Sequence, residues 1–140
     1  MAPNKRILAL DIGVKRIGIA TASPIAQLPT ALPTALNDAM FFERLRTIIS
    51  QEDIGLIVVG WPTNLSGQTT SQTDYVAAFI ERLRQQFSDI PITITNETLT
   101  SVEAEADMAA RHQRYTKGDI DARAAELILQ RYLESLPTKA

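Results

Sequence analysis

Three acidic residues stand where the chain leaves or enters a predicted structural element. Asp11 ends the apolar run 7–10, Glu97 follows the run 92–95, and Asp121 lies in the first turn of a predicted last helix. A carboxylate at the end of a buried strand is costly unless a cation or a hydrogen bond compensates it. For Asp11, both a cation site and a hydrogen bond to the following turn remain open on position alone. Together, the three acids would suit a hard divalent cation, which prefers oxygen ligands.

Asp121 shares one face of the predicted last helix with four other positions. These are Ala124, Ala125, Ile128 and Tyr132. Because residues spaced in this way lie on one stripe of a helix, we expect Asp121 to point toward the sheet rather than into water. Stabilisation of a helix start by a negative charge accounts well for Asp119 and less well for Asp121.

The predicted elements alternate between strands and helices, which indicates a mixed α/β domain. Apolar runs predict strands over 6–11, 16–22, 56–60 and 90–95, and three prolines make a third strand within 24–36 short or an edge strand. Helical spacing predicts helices over 38–51, 71–87, 101–113 and 119–136. Asn37 or Asp38 would cap the first of these helices, a Thr100–Glu103 capping box would open the third, and Asp119 would cap the last. Asp11, Gly60–Trp61 and Asn96–Glu97 then fall at strand ends, the edge where open α/β sheets bind ligands.

Composition excludes several kinds of site. The chain has 140 residues, which predicts one domain over 1–140, and its net charge of −2 argues against a generally basic nucleic-acid binder. It has no cysteine and a single histidine, His112, so thiolate zinc sites, cysteine nucleophiles and multi-histidine metal sites are ruled out. The sequence shows no signal peptide and no apolar stretch long enough to span a bilayer, so we expect a cytoplasmic protein without a membrane partner.

Four motifs in the right order resemble those of the YqgF/RuvX family, the Holliday-junction-resolvase-like proteins also described as pre-16S rRNA nucleases. The matching segments are 8–20, 58–67, 96–101 and 117–125. The resemblance implies a ribonuclease H-like fold: a five-stranded mixed sheet whose first three strands are antiparallel, flanked by helices. By motif, it implies Asp11, Glu97 and Asp121 as a catalytic triad that binds one or two Mg²⁺ or Mn²⁺ ions.

Other residues beside these motifs are candidates for substrate contacts. Lys15, Arg16 and Lys117 lie next to the motif acids and would meet phosphate, the alternative being solvated surface charges. Trp61 at a strand end would stack on a base, although packing over the sheet edge is at least as good an explanation. The polar loop that contains Asn64 would contact substrate or merely lead into the next helix.

The third motif departs from the family pattern. The family normally has Asp-Glu-Arg before Leu-Thr, whereas this chain has Asn96, Glu97 and Thr98. A neighbouring carboxylate and a cation are therefore both missing, as they would be if a structural ion pair had been removed or an active site altered.

The resemblance implies a metal-dependent nuclease that processes the 5′ end of pre-16S rRNA during ribosome biogenesis. A Holliday-junction-type DNA resolvase and a non-catalytic, nucleic-acid-binding assembly factor with a degenerate site remain alternatives. The implied partners are structured precursor 16S rRNA or branched DNA, with ribosomal particles as a further possibility. A monomer or weak homodimer fits, since cleavage of both junction arms would favour a two-fold dimer. An actin-like ATPase also carries Asp-x-Gly, but it needs two lobes, for which 140 residues leave no room.

Overall fold

The computed structural model describes residues 5–62, 71–96, 100–111 and 114–137. Its strands are β1 (Arg6–Ile12), β2 (Arg16–Ala22), β3 (Thr30–Leu36), β4 (Ile54–Trp61) and β5 (Ile92–Asn96). Its helices are α1 (Phe41–Gln51), α2 (Ser71–Gln86), α3 (Thr100–Ala110) and α4 (Lys117–Glu134). Within those ranges, none of the helices combines the length and the apolar character needed to cross a lipid bilayer.

The strands form a single five-stranded mixed sheet in the order β3-β2-β1-β4-β5. The first three strands pair antiparallel, and β4 and β5 add to β1 in parallel. The predicted architecture is therefore confirmed. The proline-containing third strand is confirmed as an edge strand, where Pro33 costs no ladder hydrogen bond to a second neighbour.

Helices cover both faces of the sheet. On one face, alternate residues of β1 and β2 pack against α1 and α2, whose apolar stripe includes Phe41, Leu45 and Phe79. On the other face, Ile7 and Ala9 pack against α4 through Ala125, Ile128 and Leu129. Because successive strand residues point to opposite faces, this division assigns each residue of β1 to one helical layer.

Two predicted helix caps are wrong. Helix α1 begins at Phe41, and its N-cap residue is Met40, whose side chain makes no capping hydrogen bond. Of the two predicted caps, Asn37 donates its side-chain amide to Gly13 and Tyr75, and Asp38 accepts a hydrogen bond from the Met40 N–H at 2.9 Å. Helix α4 begins two residues before Asp119. Thr116 is its cap, and Asp119 is the third helical residue of a reciprocal capping box.

Candidate functional site

Asp11 lies on the face of the sheet that α4 covers. Ile7 and Ala9 of the same strand pack in the α4 cluster, and the two-residue period of a strand carries Asp11 to that face. Asp11 is partly buried near the C-terminal end of β1, and it stands opposite Gly18 of β2. The side chain therefore lies on the α4 side of the sheet rather than on the side of the opposite helical layer.

Gly18 allows α4 to approach the sheet at this point. A Cβ atom at residue 18 would lie 2.1 Å from the Asp121 carbonyl oxygen, a distance that no side chain tolerates. Directly opposite residues of an antiparallel pair have Cβ atoms about 5 Å apart, so the Cβ atom of Asp11 lies within roughly 7 Å of the Asp121 carbonyl oxygen. A glycine facing Asp11 thus brings Asp121 beside it.

An ion pair fixes the Asp121 side chain. Nε of Arg16, the first residue of β2, donates to Oδ2 of Asp121 at 2.8 Å. Asp121 is 23% exposed and Arg16 34% exposed, so water screens the pair only in part. The bridge spans 105 positions of sequence and ties the hairpin to the start of α4.

The turn between β1 and β2 is held by hydrogen bonds from distant elements. The Gly13 N–H donates to the Arg16 carbonyl at 3.0 Å. The side-chain amide of Asn37 donates to the Gly13 carbonyl at 2.8 Å and to the hydroxyl of Tyr75 at 2.7 Å. Gln72 reaches the Ile12 carbonyl. These contacts fix the end of β1 that carries the candidate carboxylate.

The remaining predicted site residues differ in placement. Lys15 and Lys117 are exposed, at the turn and at the first residue of α4. Trp61 is half-buried and packs against the α1–α2 cluster, on the face of the sheet opposite Asp11. Two of the predicted site residues, Glu97 and Asn64, lie outside the described residues.

The described part of the site fits a divalent cation in its donor chemistry. Asp11 and Asp121 offer carboxylate oxygens at one end of the sheet, and hard cations such as Mg²⁺ and Mn²⁺ take such ligands. Within residues 5–62, 71–96, 100–111 and 114–137, no group of three acidic or histidine side chains could hold a metal ion. A third ligand would have to come from elsewhere, and Glu97 is the residue that the motif supplies.

Sequence reasoning did not identify the residues that position the acids. It named Arg16 as a candidate phosphate contact and did not foresee that Arg16 pairs with Asp121. It gave Gly18 and Asn37 no role at this site. A glycine inside an otherwise apolar strand is a signal of close backbone approach, so Gly18 could have been found from the sequence.

Two solved structures share the fold over nearly the whole chain. The Fowlpox virus resolvase in complex with Holliday junction DNA superposes with a TM-score of 0.58, at 11% identity, over 93% of this chain and 97% of that one. The RuvC protein of T. thermophilus, bound to a Holliday junction substrate, gives a TM-score of 0.55 at 11% identity, over 94% and 95%. The fold is therefore the ribonuclease H-like fold of the resolvases, as predicted.

Sequence comparison identifies the family. The RuvX family, described as Holliday junction resolvase, matches residues 5–135. Relatives named as candidate pre-16S rRNA nucleases include one from Thermoanaerobacter pseudethanolicus, 40% identical over 96% of this chain and 99% of its own length. Another, from a Sulfurihydrogenibium species, is 39% identical over 94% and 91%. The chain belongs to the RuvX family, and the predicted membership of this nuclease family is confirmed.

Proposed function

We propose that this chain is a metal-dependent nuclease that hydrolyses phosphodiester bonds and processes the 5′ end of pre-16S rRNA in the cytoplasm. The observation that carries the proposal is the close approach at Gly18, which brings the backbone of Asp121 to the position of β2 that stands opposite Asp11 at one end of the sheet. Family membership and the names of the relatives support the choice of chemistry and substrate.

In this proposal, Asp11, Glu97 and Asp121 hold one or two Mg²⁺ or Mn²⁺ ions. When bound, such ions supply an activated water and stabilise the charge that develops on the leaving oxygen. The carboxylates act as ligands rather than as a general acid–base pair, which agrees with a chain that has a single histidine. The net charge of −2 is no obstacle, because bound cations offset the repulsion between acidic side chains and phosphate.

The cations around the acids take complementary roles in this proposal. Arg16 holds the Asp121 carboxylate in one orientation through the 2.8 Å bridge, so the ligand is preorganised before a metal binds. Lys15 and Lys117 are exposed on either side and contact substrate phosphates. Trp61 and Asn64 are secondary candidates for substrate contacts.

Cleavage of two labelled substrates tests the proposal. We expect the protein to cut precursor 16S rRNA in Mn²⁺, to lose cleavage in EDTA, and to cut a four-way DNA junction more slowly. A preference for the junction would replace rRNA processing with junction resolution. Metal-independent binding without cleavage of either substrate would favour the assembly factor and contradict the nuclease.

Arg16→Gln should make the protein respond more strongly to metal. In the absence of metal, the variant loses an ion pair and leaves Asp121 beside Asp11 without that neutralising charge, so we expect it to be less stable by about 1 kcal/mol. Mn²⁺ then relieves the repulsion between the carboxylates, and its addition should raise the melting temperature more in the variant than in wild type. Thermal unfolding in EDTA and in Mn²⁺ measures both effects.

Arg84→Gln is the matched control. Arg84 lies in the last turn of α2 and pairs with its helix neighbour Glu81 at 2.6 Å, an exposed bridge. It should lose little stability and respond to Mn²⁺ as wild type does. Equal responses of all three proteins would contradict the assignment of Asp121 as a metal ligand that Arg16 positions.

A further inference from the structure

A polar cleft opens on the side of α4 that faces β3 and the end of α3. Its volume is about 300 Å³. The side chains that matter for recognition are Arg111, Arg114, Tyr115, Asp119, Arg123 and Glu126. The cleft is the right size for one nucleotide or another small ligand, and it is too small for a duplex.

The two carboxylates of the cleft already have partners. Oε2 of Glu126 accepts from the backbone N–H of Ala31 at 3.2 Å, and its Oε1 accepts from Arg123 at 3.3 Å. Oδ2 of Asp119 accepts from the backbone N–H of Thr116 at 2.8 Å in the capping box of α4. Because these oxygens are engaged, the acids build the walls of the cleft and only partly repel an anion.

Two of the three arginines belong to the same framework. Nε of Arg123 and Nη2 of Arg111 both donate to Oδ2 of Asp107, at 2.8 Å and 3.0 Å. One carboxylate therefore serves two guanidinium groups, and each of these has further N–H groups to offer. Arg123 is only 25% exposed, so this part of the lining is held in place by packing as well as by ion pairs.

Arg114 and Tyr115 are the groups that the framework does not use. In the described ranges, no hydrogen bond or ion pair to another residue engages Arg114, which is exposed. The neighbouring Tyr115 keeps 38% of its surface exposed and takes part in no described aromatic pair. An arginine that can reach phosphate, next to an aromatic ring that can stack on a base, is the combination with which proteins bind single-stranded nucleic acid.

The cleft lies across α4 from the candidate metal site. Asp121 lies between Asp119 and Arg123 in sequence, but at about 100° per residue it stands roughly 160° around the helix from these two residues of the cleft. Exposed Lys117 lies one turn before Asp121 on the same helix. A strand that leaves the metal site and passes around the first turn of α4, a helix about 10 Å across, would reach the cleft within a few nucleotides.

We propose that the cleft formed by Arg111, Arg114, Tyr115 and Arg123 binds one nucleotide of single-stranded RNA that flanks the cleaved bond. Arg114 binds the phosphate, the Tyr115 ring stacks on the base, and the Arg111–Asp107–Arg123 network holds the lining. The proposal rests on the proposed function for the identity of the ligand, but binding to the cleft requires no metal.

Binding of fluorescent single-stranded RNA in EDTA, measured by anisotropy at several salt concentrations, tests the cleft separately from catalysis. Tyr115→Ala should raise the Kd about tenfold, whereas Tyr115→Phe should bind as wild type does. Arg114→Gln should raise the Kd about fivefold. It should also make the negative slope of the logarithm of the association constant against the logarithm of the salt concentration less steep by about 0.7, the contribution of one phosphate contact in a single strand. Tyr115→Ala should leave that slope unchanged.

Arg84→Gln is the matched control, because Arg84 is exposed on α2 and pairs with its helix neighbour Glu81. If Arg114→Gln and Tyr115→Ala bind as this control does, the cleft is not a binding site. If both variants lose as much affinity for a fully paired DNA junction as for single-stranded RNA, the assignment of the cleft to single strands is overturned. Wild-type RNA binding that depends on Arg114 and Tyr115, without cleavage in Mn²⁺, would support the cleft while contradicting the nuclease.

Discussion

Asp11→Asn should abolish cleavage while leaving the fold intact. The substitution removes a ligand charge at the end of β1 and hardly changes side-chain volume. Loss of groups that merely support metal ligands already costs about 10–100-fold, so loss of a ligand should lower kcat at least a hundredfold. Initial rates on the preferred substrate at saturating Mn²⁺ measure the loss. Circular dichroism and urea unfolding would show whether the fold is retained.

Asp53→Asn is the matched control for Asp11→Asn. Asp53 is exposed at the opposite end of the sheet, where it pairs with Lys5 at 2.9 Å. Its positive φ of 53° suits Asn as well as Asp, so the same change of charge should be tolerated there. Cleavage by Asp11→Asn at the wild-type rate would contradict the assignment of Asp11 to the active site. A similar loss in both variants would point to a general charge effect instead.

Gly18→Ala should strongly destabilise the protein. The new Cβ would lie 2.1 Å from the Asp121 carbonyl oxygen and 2.6 Å from its carbon, both backbone atoms that cannot turn away. Helix α4 must therefore move off β2, which costs packing as in other overpacked cores. We expect a loss of about 2–4 kcal/mol in the free energy of unfolding, together with loss of cleavage because Asp121 moves away from Asp11.

Gly118→Ala provides the comparison for Gly18→Ala. The nearest atom to a Cβ there is Oγ1 of Thr116 at 3.5 Å, an ordinary contact. Because Gly118 lies in the first turn of α4, alanine should change stability by no more than about 1 kcal/mol, in the favourable direction. Urea unfolding of both variants measures the difference. Equal stabilities would show that α4 does not depend on the close approach at Gly18.

Asn96, one of the two departures from the family motif, lies at the end of β5. Asn96 ends β5 in register with Trp61, so the strand is formed without the acidic residue usual at this position. Thr98 lies outside the described residues. The two explanations of the departures, removal of a structural ion pair and alteration of the active site, both stay predictions.

The sequence by itself determined the elements and their order. Strand β4 follows from its continuous apolar run, and the hairpin of β1 and β2 follows from two apolar runs separated by a short turn at Gly13. The periodicity that assigned Asp121 to the sheet-facing stripe of α4 was also right, since Ala124, Ala125 and Ile128 are buried. These features depend on residues close in sequence, where side-chain periodicity and backbone preference act directly.

Only the tertiary structure decided how Asp121 is held against β2. The Arg16–Asp121 bridge joins residues 105 positions apart, and the contact of Gly18 with Asp121 needs the helix to be docked before it exists. The prediction of the α1 cap was wrong for the same reason, because the Asn37 side chain donates hydrogen bonds to Gly13 and Tyr75, which are distant in sequence. Such contacts form only when the elements dock in three dimensions. The spacing of residues along the chain carries no information about which distant elements will meet.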